Sequence, residues 1–131
     1  MAADFHSKHG IVRHRPEELY MSFTDMRTIV SMLPEDKRAG VTADYDSVSA
    51  NVQGFPIGVR VASREPYSNI RLEDNGSPFH FDISLHFDDT GVPGETEFYI
   101  DVNAELNLLM KKMLGGKLQE ALDKLVDSIA G

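Results

Sequence analysis

The sequence contains neither cysteine nor tryptophan. Without cysteine there is no disulfide framework, no thiolate zinc site and no thiol nucleophile. Long apolar runs are also missing, since no stretch approaches the roughly 20 residues that a transmembrane helix requires. The start of the chain, Met1 to Lys8, lacks the apolar core of a signal peptide. We therefore expect a soluble, cytoplasmic protein that is stabilised by its apolar core.

Basic charge is scarce as well. Thirteen Lys and Arg residues stand against 21 Asp and Glu residues, which gives a net charge of −8 at pH 7. An acidic chain with scattered basic residues repels phosphate backbones, so we predict no nucleic-acid partner. The 131 residues include no repeat or linker, and this length is usual for one domain. We predict a single domain over 1–131.

The first part of the chain predicts one strand and two short helices. Alternating apolar residues indicate a strand from Phe5 to Arg15, in which His9 shares the inner face with Phe5. Pro16 suits the first position of a helix. Asp25 suits the cap of a second helix, which Pro34 ends.

From Val41 onward the apolar residues recur with a period of two. In the segment from Phe79 to Asp88 they occupy every odd position, while His, Asp and Ser occupy every even one. This pattern is typical of an antiparallel sheet with one buried and one exposed face. A second alternating segment runs from Phe98 to Ala104. The close spacing of such segments predicts an antiparallel sheet of six or seven strands.

The last segment predicts a long amphipathic helix. Apolar residues recur at spacings of three and four from Leu106 to Ile129, and Asn107 suits the cap. Gly115 and Gly116 each cost about 1 kcal/mol relative to Ala, which predicts a bend or break. Because helix and sheet each need an apolar partner, we predict an α+β fold whose sheet wraps the helix. Polar residues fill the opposite side of the helix: Lys111, Lys112, Gln119, Glu120, Asp123, Lys124 and Asp127.

This element order resembles that of the START-like superfamily, also called SRPBCC. Its helix-grip fold is shared by plant pollen-allergen proteins, lipid-transfer domains and polyketide cyclases. The local sequence is also similar to small, uncharacterised bacterial members of the superfamily. The similar stretches are Leu33-Pro34-Glu35-Asp36-Lys37, Arg64-Glu65-Pro66, Ser77-Pro78-Phe79, Leu106-Asn107 running into Met110, and Lys117-Leu118-Gln119-Glu120.

The resemblance implies a cavity between the sheet and the C-terminal helix, open near the short helices, that takes an apolar small molecule. Methionine suits such an adaptable lining. The alternative is that the same side chains pack against each other as ordinary core. The residues that we predict to line the cavity are His9, Phe23, Met26, Tyr45, Phe79, Phe81, Ile83, Phe98, Ile100, Met110, Met113 and Leu114.

Among the five histidines, strand alternation points His9 inward. It is a candidate polar anchor or proton acceptor, with Tyr45 as a weaker one, or else a structural histidine bonded to a backbone carbonyl. His80, Asp82 and His86 share an outer face, but the two histidines are about 20 Å apart at the usual rise of a strand. We therefore predict no metal site there and no cofactor. No catalytic signature motif occurs, so catalytic residues stay unassigned.

Three classes of function remain open. The first is binding or carriage of an apolar, lipid-like or polyketide-like molecule in the cavity. The second is an enzyme of the polyketide cyclase or hydrolase type that uses the same cavity, with His9 and Tyr45 as its polar groups. The third is a protein-interaction module of the chaperone-associated kind, which would need an exposed apolar patch.

Overall fold

The computed structural model describes residues 2–31, 35–52, 55–77 and 79–130. Leu33, Pro34 and Pro78, which belong to the stretches quoted above, lie outside these ranges, as does the predicted end of the second helix. The described helices are α1 (Pro16–Phe23), α2 (Met26–Ser31), a 3-10 turn (Glu35–Lys37) and α3 (Leu108–Ala130). The described strands are β1 (Ala2–His6), β2 (Gly10–Val12), β3 (Thr42–Ala43), β4 (Ser47–Val52), β5 (Phe55–Glu65), β6 (Asn69–Asp74), β7 (Phe81–Asp89) and β8 (Thr96–Glu105).

All the strands belong to one antiparallel sheet in the order β1-β8-β7-β6-β5-β4-β3, and β2 also pairs with β8. The predicted α+β helix-grip architecture is confirmed, with both short helices following the first strands. The sheet has eight strands because the segment predicted as one strand, Phe5 to Arg15, is divided between β1 and β2. The two-residue β3 also adds an edge strand.

Ser7 occupies the break between β1 and β2. Its N–H donates to the oxygen of Ile100 (2.9 Å), and its hydroxyl accepts from the Ile100 N–H (2.8 Å). The same hydroxyl donates to the oxygen of Lys8 (2.8 Å). Phe5 faces the core before the break, and Val12 faces it afterwards. The break therefore reverses the alternation, as an irregular insertion does. Odd-numbered residues face the core before it, and even-numbered residues face the core after it.

An aromatic cluster under α1 forms one end of the core. Pro16 begins the helix as predicted, and the helix directs Phe23 onto the sheet. The Phe23 ring lies 6.0 Å from Phe87 and 5.6 Å from Phe98, and Tyr20 meets Phe87 edge-on at 6.3 Å, each measured between ring centroids. All four side chains are buried. Such contacts fix the position of α1 over the ends of β7 and β8.

The second half of α3 packs directly on the backbone of β2. A Cβ atom at Gly10 would lie 2.7 Å from the Val126 Cγ1 atom and 2.9 Å from the Ala130 Cβ atom, so only glycine fits there without displacement. Val126 and Leu122 are buried at this contact. The last turns of the helix are thus the part that the sheet grips most closely.

The helix is continuous through Gly115 and Gly116, so the predicted break is wrong. Gly115 faces the Phe5 ring, 3.6 Å from the place of a Cβ atom, and packing against β1 supports the helix where its intrinsic propensity is low. The predicted cap is confirmed, because the side-chain oxygen of Asn107 accepts from the Met110 N–H (2.8 Å).

Polar residues of α3 also bind the sheet, although the sequence assigned them to the opposite side of the helix. The Gln119 amide donates to the oxygen of His6 (2.6 Å), and the Lys8 N–H donates to an Asp123 carboxylate oxygen (2.7 Å). Asp127 forms an ion pair with the Lys8 side chain. The break after β1 frees these backbone groups from strand pairing, and the helix supplies their partners.

Candidate functional site

The concave face of the sheet carries an apolar row that crosses five strands. Register places Val61 opposite Leu72, Leu72 opposite Ile83, Ile83 opposite Val102 and Val102 opposite Phe5. Phe5 and Val102, which lie nearest to α3, are buried. Val61 and Ile83 are half-buried. Leu72, which lies between them, is buried, so the incomplete cover along this row is found at Ile83 and Val61.

Incomplete cover of apolar side chains is also found on β4 and its partner strand β5. Val48 and Val59 face each other across β4 and β5, and both are half-buried, as is Ile57. Helix α3 lies against β1, β2 and β8, which are at the other side of the sheet. The concave surfaces of β4 and β5, together with Ile83 of β7, thus present an apolar face that protein covers only in part.

The first half of α3 is loosely covered as well. Met110 and Leu118 are half-buried, whereas Leu109 and Met113 are 67% and 61% exposed. The predicted apolar stripe is therefore buried along the second half of the helix and accessible along the first.

Part of the predicted lining is sealed inside the protein. Met26 and Phe98 have 0% exposure and Ile100 has 1%, so a molecule in an adjacent space would find no surface on them. Phe23 and Phe81 are also buried. For Met26, Phe98 and Ile100 the prediction of a cavity lining is wrong, since aromatic and sheet packing closes around them.

The accessible members of the predicted set are fewer. Phe79, Ile83 and Met110 are half-buried, and the Phe79 ring lies 5.6 Å from that of Phe81. Met113 is exposed to solvent. The side chain of Leu114 lies outside the described part of the structure.

Tyr45 lies in the connection between β3 and β4, with 45% of its surface exposed. The guanidinium of Arg64 covers its ring at 4.6 Å. Its backbone oxygen accepts from the Met26 N–H (3.1 Å). The ring therefore lies at the rim, where α2 meets the sheet.

Arg64 is the residue that organises this rim. Its guanidinium donates to the Thr24 hydroxyl (2.6 Å) and to the Thr24 backbone oxygen (2.8 Å), and it lies 2.9 Å from an Asp46 carboxylate oxygen. It thereby joins β5 to the α1–α2 junction and to the β3–β4 turn. The sequence singled out Arg64 as part of a motif without indicating this role.

His9 lies on the outer face, and the prediction that it points inward is wrong. Its ring stacks on Tyr99 at 4.1 Å, its Nδ1 atom is 3.4 Å from a Glu97 oxygen, and its side chain is 53% exposed. The break at Ser7 shifts the alternation on which the prediction depended. His9 therefore offers no polar anchor on the concave side.

The outer face holds a cluster that the sequence did not reveal. Tyr99 is stacked between His9 and His86, 4.5 Å from the latter, and its hydroxyl donates to Asp88 (2.8 Å). This hydrogen bond, with burial and the nearby carboxylates, raises the pKa of Tyr99 to about 12. Alternation predicted the outward direction of His86 and Asp88, but the contribution of His9, which lies between β1 and β2, required the tertiary structure.

The three residues that we considered for a metal have separate partners. The Nδ1 atom of His80 lies 3.3 Å from Asp74, whereas His86 lies 3.1 Å from Asp101. Asp82 lies 3.8 Å from Arg71. Across the described ranges, no group of three or more such side chains has an arrangement that could hold a metal ion.

A groove of about 350 Å³ opens between α1 and the end of α3. Apolar side chains of Leu19, Phe23 and Ile129 form its base, while His14 and Glu18 stand at its edge. Hydrogen bonds from Arg15 and then His14 lower the pKa of Glu18. This groove is near the short helices, where the resemblance implies an opening.

Comparison with known proteins identifies the fold. No protein-family model and no curated protein sequence matches the chain. Solved structures do match. A START superfamily protein from Mycobacterium smegmatis superposes with a TM-score of 0.65 at 13% identity, covering 98% of this chain and 96% of that one. Norcoclaurine synthase from Thalictrum flavum superposes with a TM-score of 0.68 at 10% identity, covering 99% and 85% respectively.

A point mutant of the same plant enzyme, solved in complex with a transition-state analogue, matches with a TM-score of 0.63 at 12% identity over 96% of this chain and 94% of that one. An open antiparallel sheet that packs against a long C-terminal helix is the defining feature of this class of fold. The chain has the START-like, or SRPBCC, helix-grip fold. In the part of the chain that the structure describes, no helix has the length and apolarity needed to cross a membrane.

Proposed function

We propose that the protein binds and carries an apolar small molecule, lipid-like or polyketide-like, on the concave face between β4–β7 and the first half of α3. One observation carries this proposal: Val48, Val59 and Ile83 form an apolar surface that α3 leaves partly uncovered. Covering apolar surface stabilises a complex by about 25 cal/mol per Å². An apolar ligand would supply the cover that the helix does not.

Two further features support this function. The helix rests on the sheet mainly through its second half, at Gly10 and Val126, so the ligand can occupy the other half without breaking the grip. The fold is also one in which a relative, the norcoclaurine synthase mutant, was solved with a small molecule. The compartment that we propose is the cytoplasm.

An enzyme that uses the same face remains the second candidate, but no side-chain arrangement among the described residues favours it. His9 lies on the outer face, and the Tyr45 ring is covered by Arg64. Binding needs neither residue, whereas a cyclase or hydrolase needs a polar group beside its substrate. We therefore base the proposal on binding.

The test enlarges a side chain within the proposed site. Ile83→Phe should weaken the binding of an apolar fluorescent probe several-fold, because the phenyl ring occupies ligand space. Stability should change by less than about 0.5 kcal/mol, whereas a tightly packed site would lose about 1–3 kcal/mol. Probe titration and urea unfolding measure the two quantities, and native mass spectrometry of freshly purified protein tests for a co-purifying ligand.

Met21→Phe is the matched control, because Met21 on α1 is 60% exposed and distant from the concave face. It should leave both probe affinity and stability unchanged. The proposal fails if the wild type binds no probe, or if Ile83→Phe destabilises the protein while probe affinity stays the same.

A further inference from the structure

The first half of α3 combines exposed apolar residues that no described part of the protein covers. Leu108, Leu109 and Met113 are 59%, 67% and 61% exposed. The remaining large exposed apolar residues of the described chain are dispersed, for example Met21 on α1 and Val92 in the β7–β8 loop. A concentration within two turns of one helix marks an interaction surface rather than chance exposure.

The first half of α3 also concentrates positive charge. Lys111, Lys112 and Lys117 are exposed, and no Asp or Glu occurs between Glu105 and Glu120. Three of the thirteen basic residues are thus gathered in a segment that has none of the 21 acidic ones. The basic residues that look scattered along the sequence are here grouped by the helix.

These lysines lack the partners that other lysines have. Lys8 pairs with Asp127, and Lys124 lies 2.9 Å from Glu120. In the described structure, no carboxylate lies within ion-pair distance of Lys111, Lys112 or Lys117. Their charge is therefore available to an external negative group.

From these features we propose that the surface formed by Leu108, Leu109, Lys112, Met113 and Lys117, which share one face of the helix, docks on a bilayer that contains anionic phospholipid. A helix that lies in the interface buries its apolar side chains below the headgroups, while its lysines meet the phosphates. Attraction by an anionic leaflet acts within a Debye length, so the acidic remainder of the protein opposes it weakly.

The size of the surface favours a bilayer over a protein partner. The ten residues from Leu108 to Lys117 span about 15 Å of helix. A specific protein interface buries about 800 Å² on each partner, which exceeds what this short segment presents. A bilayer needs no matching shape and accepts a few apolar side chains with flanking lysines.

This inference rests on the proposed function and extends it. Met110 and Leu118, which are half-buried against the core, lie on the same part of α3 as the docking surface. Docking would hold the ligand site close to the membrane, where apolar molecules are dissolved. The membrane is then the place where the carrier receives or releases its ligand.

Co-sedimentation of the full chain with vesicles tests the docking. Vesicles of phosphatidylcholine with phosphatidylglycerol should bind the protein, and binding should fall as salt is added. Vesicles of phosphatidylcholine alone should bind it at least tenfold more weakly, since each lysine adds about 1 kcal/mol near an anionic surface. The double variants Lys112→Gln/Lys117→Gln and Leu109→Ser/Met113→Ser should each lower affinity for the anionic vesicles about tenfold or more.

Two controls match these variants. Met21→Ser removes an equally exposed methionine from α1, and Lys124→Gln removes a lysine from the second half of α3. Both should bind anionic vesicles within twofold of the wild type. The docking proposal is overturned if the wild type ignores anionic vesicles, if it binds neutral ones equally well, or if the double variants bind unchanged.

Probe binding separates this failure from that of the proposed function. The double variant Lys112→Gln/Lys117→Gln changes only exposed lysines that take no part in the proposed ligand site, so the apolar probe should bind it as it binds the wild type. Probe binding without vesicle binding would remove the docking surface and leave the carrier function. Vesicle binding without probe binding would remove the carrier function and leave the docking surface.

Discussion

At the scale of single residues, Asp101 on β8 holds histidines from two neighbouring strands. Its carboxylate accepts from His6 of β1 (2.7 Å) and lies 3.1 Å from His86 of β7. The hydrogen bond to Asp101, then the attraction of its charge, raises the pKa of His6 above the ordinary 6.5, and Asp4 adds to this effect. Protonated His6 thus binds β1 to β8 on the outer face.

This shift predicts a pH dependence of stability. A histidine whose pKa is higher in the folded state stabilises the protein fully below its unfolded pKa, and the contribution is lost as pH rises through the folded pKa. Asp101→Asn should therefore reduce the free energy of unfolding most below pH 6.5, and the difference from wild type should shrink as pH rises.

Urea unfolding of both proteins on either side of pH 6.5 measures this difference. Lys124→Gln is a control, because its pair with Glu120 involves no group that titrates in this range. A difference between wild type and Asp101→Asn that stays constant with pH would contradict the role of His6.

At the scale of elements, the close contact between α3 and β2 distinguishes two glycines. A Cβ atom at Gly10 would lie 2.7 Å from Val126, whereas one at Gly116 meets nothing within 4 Å. Gly10→Ala should destabilise the protein by about 1–3 kcal/mol because the helix must shift. Gly116→Ala should stabilise it by up to about 1 kcal/mol through helix propensity.

Thermal and urea unfolding of these two variants give the comparison directly, since the same chemical change is made in both. Equal effects would mean that α3 does not rest on β2 as closely as described. Gly116→Ala also reports on the continuity of α3, since a break at that point would remove the gain from alanine.

The second prediction at this scale concerns the attachment of the short helices. Arg64→Lys keeps the charge but loses the planar group that reaches Thr24 and Asp46 together. Hydrogen bonds to charged groups contribute about 1.5–3 kcal/mol, and we expect a loss in the lower part of that range.

Arg60→Lys provides the matched control, because Arg60 on the same strand forms an exposed pair with Glu73. Such pairs contribute about 0–1 kcal/mol. Urea unfolding should therefore show a clear loss for Arg64→Lys and little for Arg60→Lys. Similar values for the two would argue against Arg64 as the attachment of α1 and α2.

At the scale of the whole molecule, packing is divided between two regions. The aromatic cluster around Phe23 and the contact of Val126 with Gly10 close one region. The other region, which includes Val59 and Ile83 on strands that α3 does not contact, stays partly uncovered. Stability and ligand binding can therefore depend on different residues, which is why Ile83→Phe should affect binding more than unfolding.

The sequence by itself determined the class of fold. Alternation from Phe79 to Asp88 and helical spacing from Leu106 to Ile129 are local patterns, and each determines which face of its element is apolar. Two apolar faces that need each other leave few arrangements, and the helix-grip fold is one of them. The cap at Asn107 and the start at Pro16 are local signals of the same kind.

Only the tertiary structure decided where His9 points and what Gln119 and Asp123 bind. Both depend on the break at Ser7, which the N–H of Ile100 stabilises from 93 residues away along the chain. It also decided which predicted lining residues are sealed, since α2 packs on β3 and β4 and Met26 is buried there, whereas Ile83 lies on a strand that α3 does not contact and stays half-buried. The local period of the sequence specifies which face of its strand or helix a side chain occupies. How deeply that side chain is buried depends on neighbours that are distant along the chain.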